Sequence, residues 1–207
     1  MATVCFIVDA VVTGSCLPRH LRAIRQSGHA DHLLPIIVTN TCADTRLAQI
    51  EQRYHARGLV TPAQLLGARI NQAANISQAE WLFIALSKKP VASQLWSTLY
   101  AQLDTSTLLD ALVILNVPPR FSARLLRRLV KASASVPPYL VIRRTWLERL
   151  GGFDPELDES SLEDLLQRLY ACPTRLKTIS SATLRSQPGL FTKDAAGYAQ
   201  HSSSLSL

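Results

Sequence analysis

The sequence predicts an α/β domain whose mostly parallel sheet is covered by helices on both faces. Short apolar runs, typical of buried strands, alternate along the chain with amphipathic segments that are typical of helices. With 207 residues, 47% of them hydrophobic, the chain is long enough to bury one substantial core. We therefore expect one domain over residues 1–185, followed by a flexible serine-rich tail over residues 186–207.

The strands are predicted from the apolar runs, and the helices from apolar residues that recur every three to four positions. In chain order we predict a strand over 3–9, a helix near 17–26, a strand over 34–39, helices over 44–57 and from 62 towards 76, a strand over 81–86, a helix near 91–103, a strand over 111–116, a helix near 121–132, a strand over 138–142, helices over 145–150 and 162–171, and a strand over 176–179. Pro62 suits a first helical turn, because that position needs no N–H donor. Ser160 or Ser161 is suited to cap the helix near Leu162.

Several classes of protein are excluded by composition. No apolar run reaches the roughly 18 residues of a membrane-spanning helix, and the N-terminus lacks the basic region of a signal peptide. The four cysteines have no metal-binding spacing, so we expect mostly buried, reduced thiols, although two disulfides are the alternative. The expected location is the cytoplasm, either free or at the inner face of the membrane.

The positive charge is concentrated in one region. Between Ala111 and Leu147 there are seven basic residues and no acidic one, so the whole excess of 22 − 15 = 7 lies there. Residues 120–131 form a basic amphipathic segment, which favours contact with an anionic membrane surface or an acidic protein. The alternative is a helix with a solvated basic face. No nucleic-acid motif is present, so no nucleic-acid partner is expected.

The stretch from Tyr139 to Arg168 carries the clearest motif. It reads YLVIRRTWLERLGGFDPELDESSLEDLLQR: a strand, a short basic helix, a Gly-Gly-Phe-Asp-Pro turn and an acidic loop, then Glu163-Asp164 at the start of an amphipathic helix. We expect a positive φ angle at the second glycine and Phe153 in the core. This order resembles the acceptor half of family-2 glycosyltransferases, whose pattern is roughly FRR…GGFDE…ED…R.

The resemblance implies a GT-A-like three-layer fold and the transfer of a sugar from a nucleotide sugar, in polysaccharide or glycoconjugate biosynthesis. By resemblance, Asp164 is the base that receives the proton of the acceptor hydroxyl, with Glu163 beside it and Arg168 among the substrate-binding residues. The i to i+4 spacing allows Asp164 and Arg168 to pair on one helix face. The alternative is that the two acids only stabilise the positive end of the helix dipole.

The segment from Ala68 to Pro90 resembles the family's ARN…GEWL.FLDADD pattern, and Asn71 matches its asparagine. The three positions of the metal-binding Asp-x-Asp motif fall on Leu86-Ser87-Lys88. Because leucine and lysine are not ligands for Mg²⁺ or Mn²⁺, we expect no divalent metal and no other cofactor. Lys88 and Lys89 either replace the metal by pairing with the diphosphate or form an ordinary exposed basic turn.

The segment from Leu33 to Thr45 resembles the strand and loop that the family writes IIVVDDGSxDxT. Asp44 matches, while Thr39 and Asn40 replace the paired acids, and Asn40 is suited to bond a base or ribose. Asp9, at the end of the first strand, is a further candidate for nucleotide contact. Two hypotheses follow: a metal-independent glycosyltransferase, or a non-catalytic relative that acts as a scaffold or regulatory partner in polysaccharide assembly.

Overall fold

The computed structural model describes residues 3–26, 34–90, 99–100, 102–103, 108–115 and 138–180. Its elements are β1 (Val4–Asp9), α1 (Ala10–Thr13), a 3₁₀ turn (Gly14–Cys16), α2 (Leu17–Arg25), β2 (Ile36–Asn40), α3 (Thr45–Arg53), β3 (Arg57–Val60), α4 (Leu66–Ile76), β4 (Trp81–Ala85), β5 (Ala111–Leu115), β6 (Tyr139–Arg143), α5 (Arg144–Arg149), α6 (Ser161–Ala171) and β7 (Leu176–Ser180). The predicted basic helix and the serine-rich tail lie outside these residues.

The strands form one sheet in the order β3-β2-β1-β4-β6-β5-β7. Of its six pairings, four are parallel and two, those of β6 with β4 and β5, are antiparallel. The prediction of a mostly parallel sheet is therefore confirmed. β1 lies between β2 and β4, with Asp9 opposite Thr39 and Val8 opposite Ala85, so the loops that follow these three strands meet at one edge of the sheet.

Two hydrophobic cores, one on each face of the sheet, make the domain a three-layer sandwich. Alternate residues of β1 point to opposite sides, so Phe6 and Val8 pack with α2 and α3, while Cys5 and Ile7 pack with α4, α5 and α6. The central strands are buried on both faces, which is why they read as continuous apolar runs. Phe153 is fully buried in the second core, as predicted.

The structure corrects the region after α3. The helix ends at Arg53 rather than at 57, because His55 has a positive φ angle of 49° and the Ala56 N–H turns back to the Glu51 carbonyl. Residues Arg57–Val60 then form β3 at the edge of the sheet. The sequence did not predict this strand, since its residues are mostly exposed and have no apolar periodicity.

The prediction that Pro62 lies in a first helical turn is wrong, because α4 begins at Leu66. A distant loop fixes this start: the Leu66 N–H donates to the Asp158 carboxylate over 3.1 Å, and the Gly67 N–H donates to the Leu157 carbonyl over 3.2 Å. A Cβ at Gly67 would lie 1.9 Å from the Asp154 carbonyl oxygen, so only glycine allows this approach. Tertiary contacts, rather than the local proline, set the helix start.

The structure also tests the predictions for the cysteines, the cap of α6 and membrane-spanning helices. All four cysteines are free thiols, but only Cys5 is buried, so the prediction that most are buried is wrong. Ser160 occupies the N-cap position of α6 without a side-chain capping bond, because its own φ and ψ are helical. No helix in the described part of the chain is long and apolar enough to cross a membrane.

Candidate functional site

The structure brings most of the predicted donor-side residues to one edge of the sheet. Asp9 ends β1, Asn40 ends β2 with Asp44 in the loop beyond it, and Lys88-Lys89 lie in the turn after β4. Because the three strands are parallel neighbours, their carboxyl ends share an edge, which is where ligands bind in open α/β sheets. We call this the donor edge, after the donor-binding role that the sequence resemblance predicts for it.

A buried ion pair between Asp9 and Arg69 supports the donor edge from below. Arg69 of α4 donates from Nε to Asp9 Oδ2 over 2.7 Å and from Nη2 to Oδ1 over 3.3 Å. The Thr39 hydroxyl and the Val12 N–H complete the shell of the carboxylate. Asp9 is 0% and Arg69 1% exposed. In this arrangement Asp9 joins β1, β2 and α4, and its contact with a nucleotide stays a prediction.

Asn40 and Asp44 shape the loop after β2. Asn40 accepts the Thr41 N–H at Oδ1 over 2.9 Å and donates from Nδ2 to the Cys42 carbonyl over 2.7 Å. Asp44 is the N-cap of α3, where its carboxylate accepts the Arg46 N–H over 2.9 Å. Both side chains therefore hold the backbone of this loop, and their predicted contacts with a base or ribose stay predictions.

The turn after β4 occupies the position of the metal motif. The Lys89 N–H donates to the Ser87 hydroxyl over 3.1 Å, and the Tyr139 hydroxyl donates to the Lys89 carbonyl. Both lysine side chains are exposed. A divalent cation needs several oxygen ligands, and this turn offers a hydroxyl beside two ammonium groups. The residues of this turn therefore do not fit the metal-binding Asp-x-Asp motif of the family that the sequence resembles.

A histidine that the sequence did not single out lies beneath this turn. His20 of α2 is 1% exposed, and the backbone of Lys88 and Ser87 contacts its ring. Burial lowers the pKa of His20 below its ordinary value, and the two backbone contacts oppose this more weakly. Its Nε2 has no hydrogen-bond partner among the described residues. The signal in the sequence was its position on the buried stripe of α2.

Acid is expected to destabilise the fold through His20. The lowered pKa means that the unfolded chain binds a proton at His20 more readily than the folded chain, so stability falls as the pH drops below about 6.5. His20→Leu should reduce the loss of unfolding free energy between pH 7.5 and pH 5.5. The reduction is at most about 1.4 kcal/mol for each unit by which folding lowers the pKa of His20. His55→Asn, at an exposed position whose positive φ asparagine tolerates, is the control. Equal acid sensitivity in the two variants would contradict the prediction.

On the acceptor side, the predicted pairing of Asp164 with Arg168 is confirmed. Arg168 donates from Nε and Nη2 to the same oxygen, Asp164 Oδ2, over 2.9 and 2.5 Å. Oδ1 of Asp164 has no hydrogen-bond partner in the part of the chain that the structure describes. The side chain is 34% exposed, so one oxygen is held by the arginine and the other is accessible. Glu163 precedes it in the first turn of α6.

The Gly-Gly-Phe turn is held from two sides. Arg168 Nη1 donates to the carbonyls of Leu150 and Gly152 over 2.5 and 2.8 Å. Asn71 of α4 accepts the Phe153 N–H over 2.8 Å and donates to the Phe153 carbonyl over 2.7 Å. Both glycines have positive φ angles, 81° and 77°, and a Cβ at Gly152 would lie 2.6 Å from Asn71 Oδ1. Asn71 and Arg168 thus position this turn, and their predicted substrate contacts stay predictions. We call residues 151–158 the acceptor loop, after the role that the resemblance predicts for them.

The two halves of the site share α4 as their support. Its first turn receives the acceptor loop at Leu66 and Gly67, and the next turn carries Arg69 towards Asp9. Sequence reasoning missed Arg69, although an arginine three and four residues from Leu66 and Ala73 lies on the buried stripe of an amphipathic helix. That position was the signal, because a buried arginine requires a partner.

Solved structures with the same fold include enzymes that use nucleotide sugars. TarS from S. aureus (residues 1–349) has a TM-score of 0.68 at 16% identity, over 85% of this chain and 57% of that one. A mannosyltransferase from Pyrobaculum calidifontis, solved with GDP-Man and Mn²⁺, has a TM-score of 0.66 at 14% identity, over 87% and 55% of the two chains. Glucosyl-3-phosphoglycerate synthase from Mycobacterium tuberculosis, solved with Mn²⁺, UDP and glucosyl-3-phosphoglycerate, has a TM-score of 0.63 at 12% identity, over 86% and 70%.

These likenesses confirm the predicted GT-A-like fold. TarS has also been solved with UDP and with UDP-GlcNAc. The chain spans a little over half the length of the TarS fragment and of the mannosyltransferase. No protein-family model matches the chain, and no curated protein matches its sequence. At identities of 12–16% the likeness establishes the fold, so function has to be argued from the site.

Proposed function

We propose that this chain binds a nucleotide sugar at the donor edge and transfers the sugar to a hydroxyl acceptor without a divalent metal. The observation that carries the proposal is the state of Asp164. Arg168 fixes one carboxylate oxygen through two N–H groups, and the other oxygen has no partner among the described residues. A base needs this combination of fixed orientation and an accessible lone pair.

This chain supplies both the proton acceptor and the positive charge that the transfer step needs. The acceptor oxygen attacks the anomeric carbon, and its proton passes to Oδ1 of Asp164. The bond from the anomeric carbon to the diphosphate breaks, and its electron pair leaves on the diphosphate. Lys88 and Lys89, exposed at the donor edge, supply positive charge where that negative charge develops. The ligands of the fold neighbours, UDP, UDP-GlcNAc and GDP-Man, support this class of donor.

Nucleotide binding is the first test. Titrating the full chain with UDP, GDP, UDP-GlcNAc and GDP-Man, in EDTA and again in Mn²⁺, should give binding whose affinity does not depend on Mn²⁺. Lys88→Ala should weaken the affinity for the diphosphates about fivefold or more, the effect of one lost charge-assisted contact. Isothermal titration calorimetry measures the affinity in each buffer and the affinity of the variant directly.

Lys177→Ala provides the matched control, because Lys177 is an exposed lysine on β7, away from the donor edge. It should leave the affinity unchanged. If Lys88→Ala binds as the wild type does, the lysine turn does not face the diphosphate. If none of the four nucleotides binds in either buffer, the proposed transfer reaction is wrong.

A non-catalytic scaffold is the second candidate, and a specific observation favours it. The polar side chains of Asp9, Asn40, Asp44 and Asn71 already bond to other parts of the chain. A protein that keeps the fold but not the reaction would use them in this way. Binding of a nucleotide sugar without release of the nucleoside diphosphate, with every acceptor tried, would favour this candidate.

The biological setting is part of the same proposal. Polysaccharide or glycoconjugate assembly supplies hydroxyl acceptors, many of them linked to lipid. The basic amphipathic segment 120–131 lies outside the described residues. Its positive charge would place the chain on an anionic membrane surface or an acidic partner. Such contact is compatible with a cytoplasmic protein at the inner face of the membrane.

A further inference from the structure

A cavity lies on the outer surface between α4 and α5, away from the donor edge. Its volume is about 310 Å³, and Asn75, Arg144 and Glu148 are among the residues that line it. In the antiparallel pairing of β4 with β6, Arg143 lies opposite Trp81, at the start of β4. Arg144 is therefore near the sheet edge opposite the lysine turn. We call this cavity the α4–α5 groove.

The groove shares one wall with the acceptor loop. Gly151, Gly152 and Asn71 also line it, and the two glycines belong to the turn that Arg168 and Asn71 hold in place. A ligand in the groove therefore contacts the same turn whose Gly152 carbonyl accepts a hydrogen bond from Arg168, the partner of Asp164. The volume is at the lower end of the range of roughly 300–1,000 Å³ that small-molecule sites occupy, which suits one small ring rather than a nucleotide.

The polar groups of the groove offer donors and acceptors side by side. Arg144 pairs with Glu148 over 2.7 Å, so the groove contains a cation and an anion whose charges cancel. Nε of Arg144 is buried and has no hydrogen-bond partner within the described ranges. The exposed amide of Asn75 both donates and accepts. A neutral ligand with adjacent hydroxyls can bond to the exposed parts of Arg144 and Glu148 and to the Asn75 amide, whereas an anion gains little from a neutralised guanidinium.

We infer that the α4–α5 groove binds a sugar unit, one that belongs to the already built part of the acceptor glycan. This inference rests on the proposed function and extends it to the acceptor: the substrate is a glycan of at least two units, which is held against the Gly-Gly turn while its reacting hydroxyl is at Asp164. Leu147, at the base of the groove, provides an apolar contact for the sugar's C–H groups.

Nuclear magnetic resonance of the ¹⁵N-labelled full chain tests the inference. The probes are the methyl glycosides of glucose, mannose and N-acetylglucosamine, with sodium sulfate as an anion for comparison and UDP as a probe of the donor edge. At least one sugar should shift the amide signals of Gly151 and Asn75 saturably, and UDP should not displace it. Arg144→Met and Asn75→Ala should each weaken sugar binding about fivefold, the effect of one lost hydrogen bond.

Arg149→Met is the matched control, because Arg149 is on the same helix and packs over Trp146 outside the groove. It should bind the sugar as the wild type does. The inference is overturned if no sugar shifts these signals, if sulfate binds more tightly than the sugars, if UDP displaces the sugar, or if both groove variants bind normally. Sugar binding without binding of UDP, GDP, UDP-GlcNAc or GDP-Man would instead overturn the proposed donor reaction and leave the groove as a carbohydrate site.

Discussion

Replacing Arg69 with methionine is expected to lower the free energy of unfolding by about 3–5 kcal/mol. Methionine keeps most of the apolar stem, so the change mainly removes the guanidinium that neutralises Asp9. The Asp9 carboxylate would then be completely buried with only the Val12 N–H and the Thr39 hydroxyl as partners. Urea denaturation followed by circular dichroism measures the loss. Arg46→Met, at an exposed position on α3, is the control and should change stability by less than about 0.5 kcal/mol.

The double variant with Asp9→Asn identifies the origin of this loss. An asparagine at position 9 can still accept the Val12 N–H and donate to the Thr39 hydroxyl, and it carries no charge that needs Arg69. The double variant should therefore be more stable than Arg69→Met alone. If it is equally unstable or less stable, the cost comes from lost packing around α4 rather than from an unpaired carboxylate. A loss below about 1 kcal/mol for Arg69→Met would contradict the ion-pair account altogether.

Asp164→Asn is expected to lower the rate of nucleoside diphosphate release in the presence of donor and acceptor by about 10²- to 10⁴-fold. The amide can still accept a hydrogen bond from Arg168 but cannot take up a proton. Because the pair with Arg168 is about one third exposed, solvent screens it, and stability should fall by no more than about 1 kcal/mol. A coupled assay of released UDP or GDP measures the rate, and calorimetry should show unchanged nucleotide affinity.

Glu156 is an exposed acid in the loop that precedes α6. Glu156→Gln controls for a general loss of negative charge and should react at the wild-type rate. Glu163→Gln should have a smaller effect than Asp164→Asn, since the proposal places the proton on Asp164. Equal rates for the wild type and Asp164→Asn would show that another group accepts the proton. Donor turnover by the wild type without an acceptor would report hydrolysis, so the rate must rise when acceptor is added.

The parts of the fold that sequence reasoning captured depend on short-range patterns. β1 and β4 are apolar runs buried on both faces, and α6 has an apolar stripe with acids in its first turn. β3 was missed because Arg57–Val60 is a strand only through its pairing with β2. The start of α4 was misplaced for the same reason, since Asp158 reaches it from 92 residues away. Contacts between residues so far apart in the sequence leave no periodic signal in a single sequence.

The same distinction between short-range patterns and long-range contacts applies to the candidate site. The Asp164–Arg168 pair is four residues apart on one helix, so its spacing alone predicted it. The partners of Arg69 and Asn71 are 60 and 82 residues distant, so the sequence did not identify them, although the place of Arg69 on the buried stripe of α4 signalled that it needs a partner. The lysine turn could be located from the sequence, but the position of His20 beneath it could not, because α2 and the turn after β4 meet only in the folded chain.

The position of α4 between the two halves of the site has a consequence for how this fold changes over generations. Lys88 and Lys89 are exposed and can be exchanged at little cost to the fold. The Gly-Gly-Phe-Asp-Pro turn cannot drift in this way, because Asn71, Gly67 and Gly152 lock it against the helix that also carries Arg69. The turn therefore contributes to the fold whether or not the chain transfers a sugar. The turn thus reports on the fold, and Asp164 and the lysine turn are where a transfer activity has to be tested.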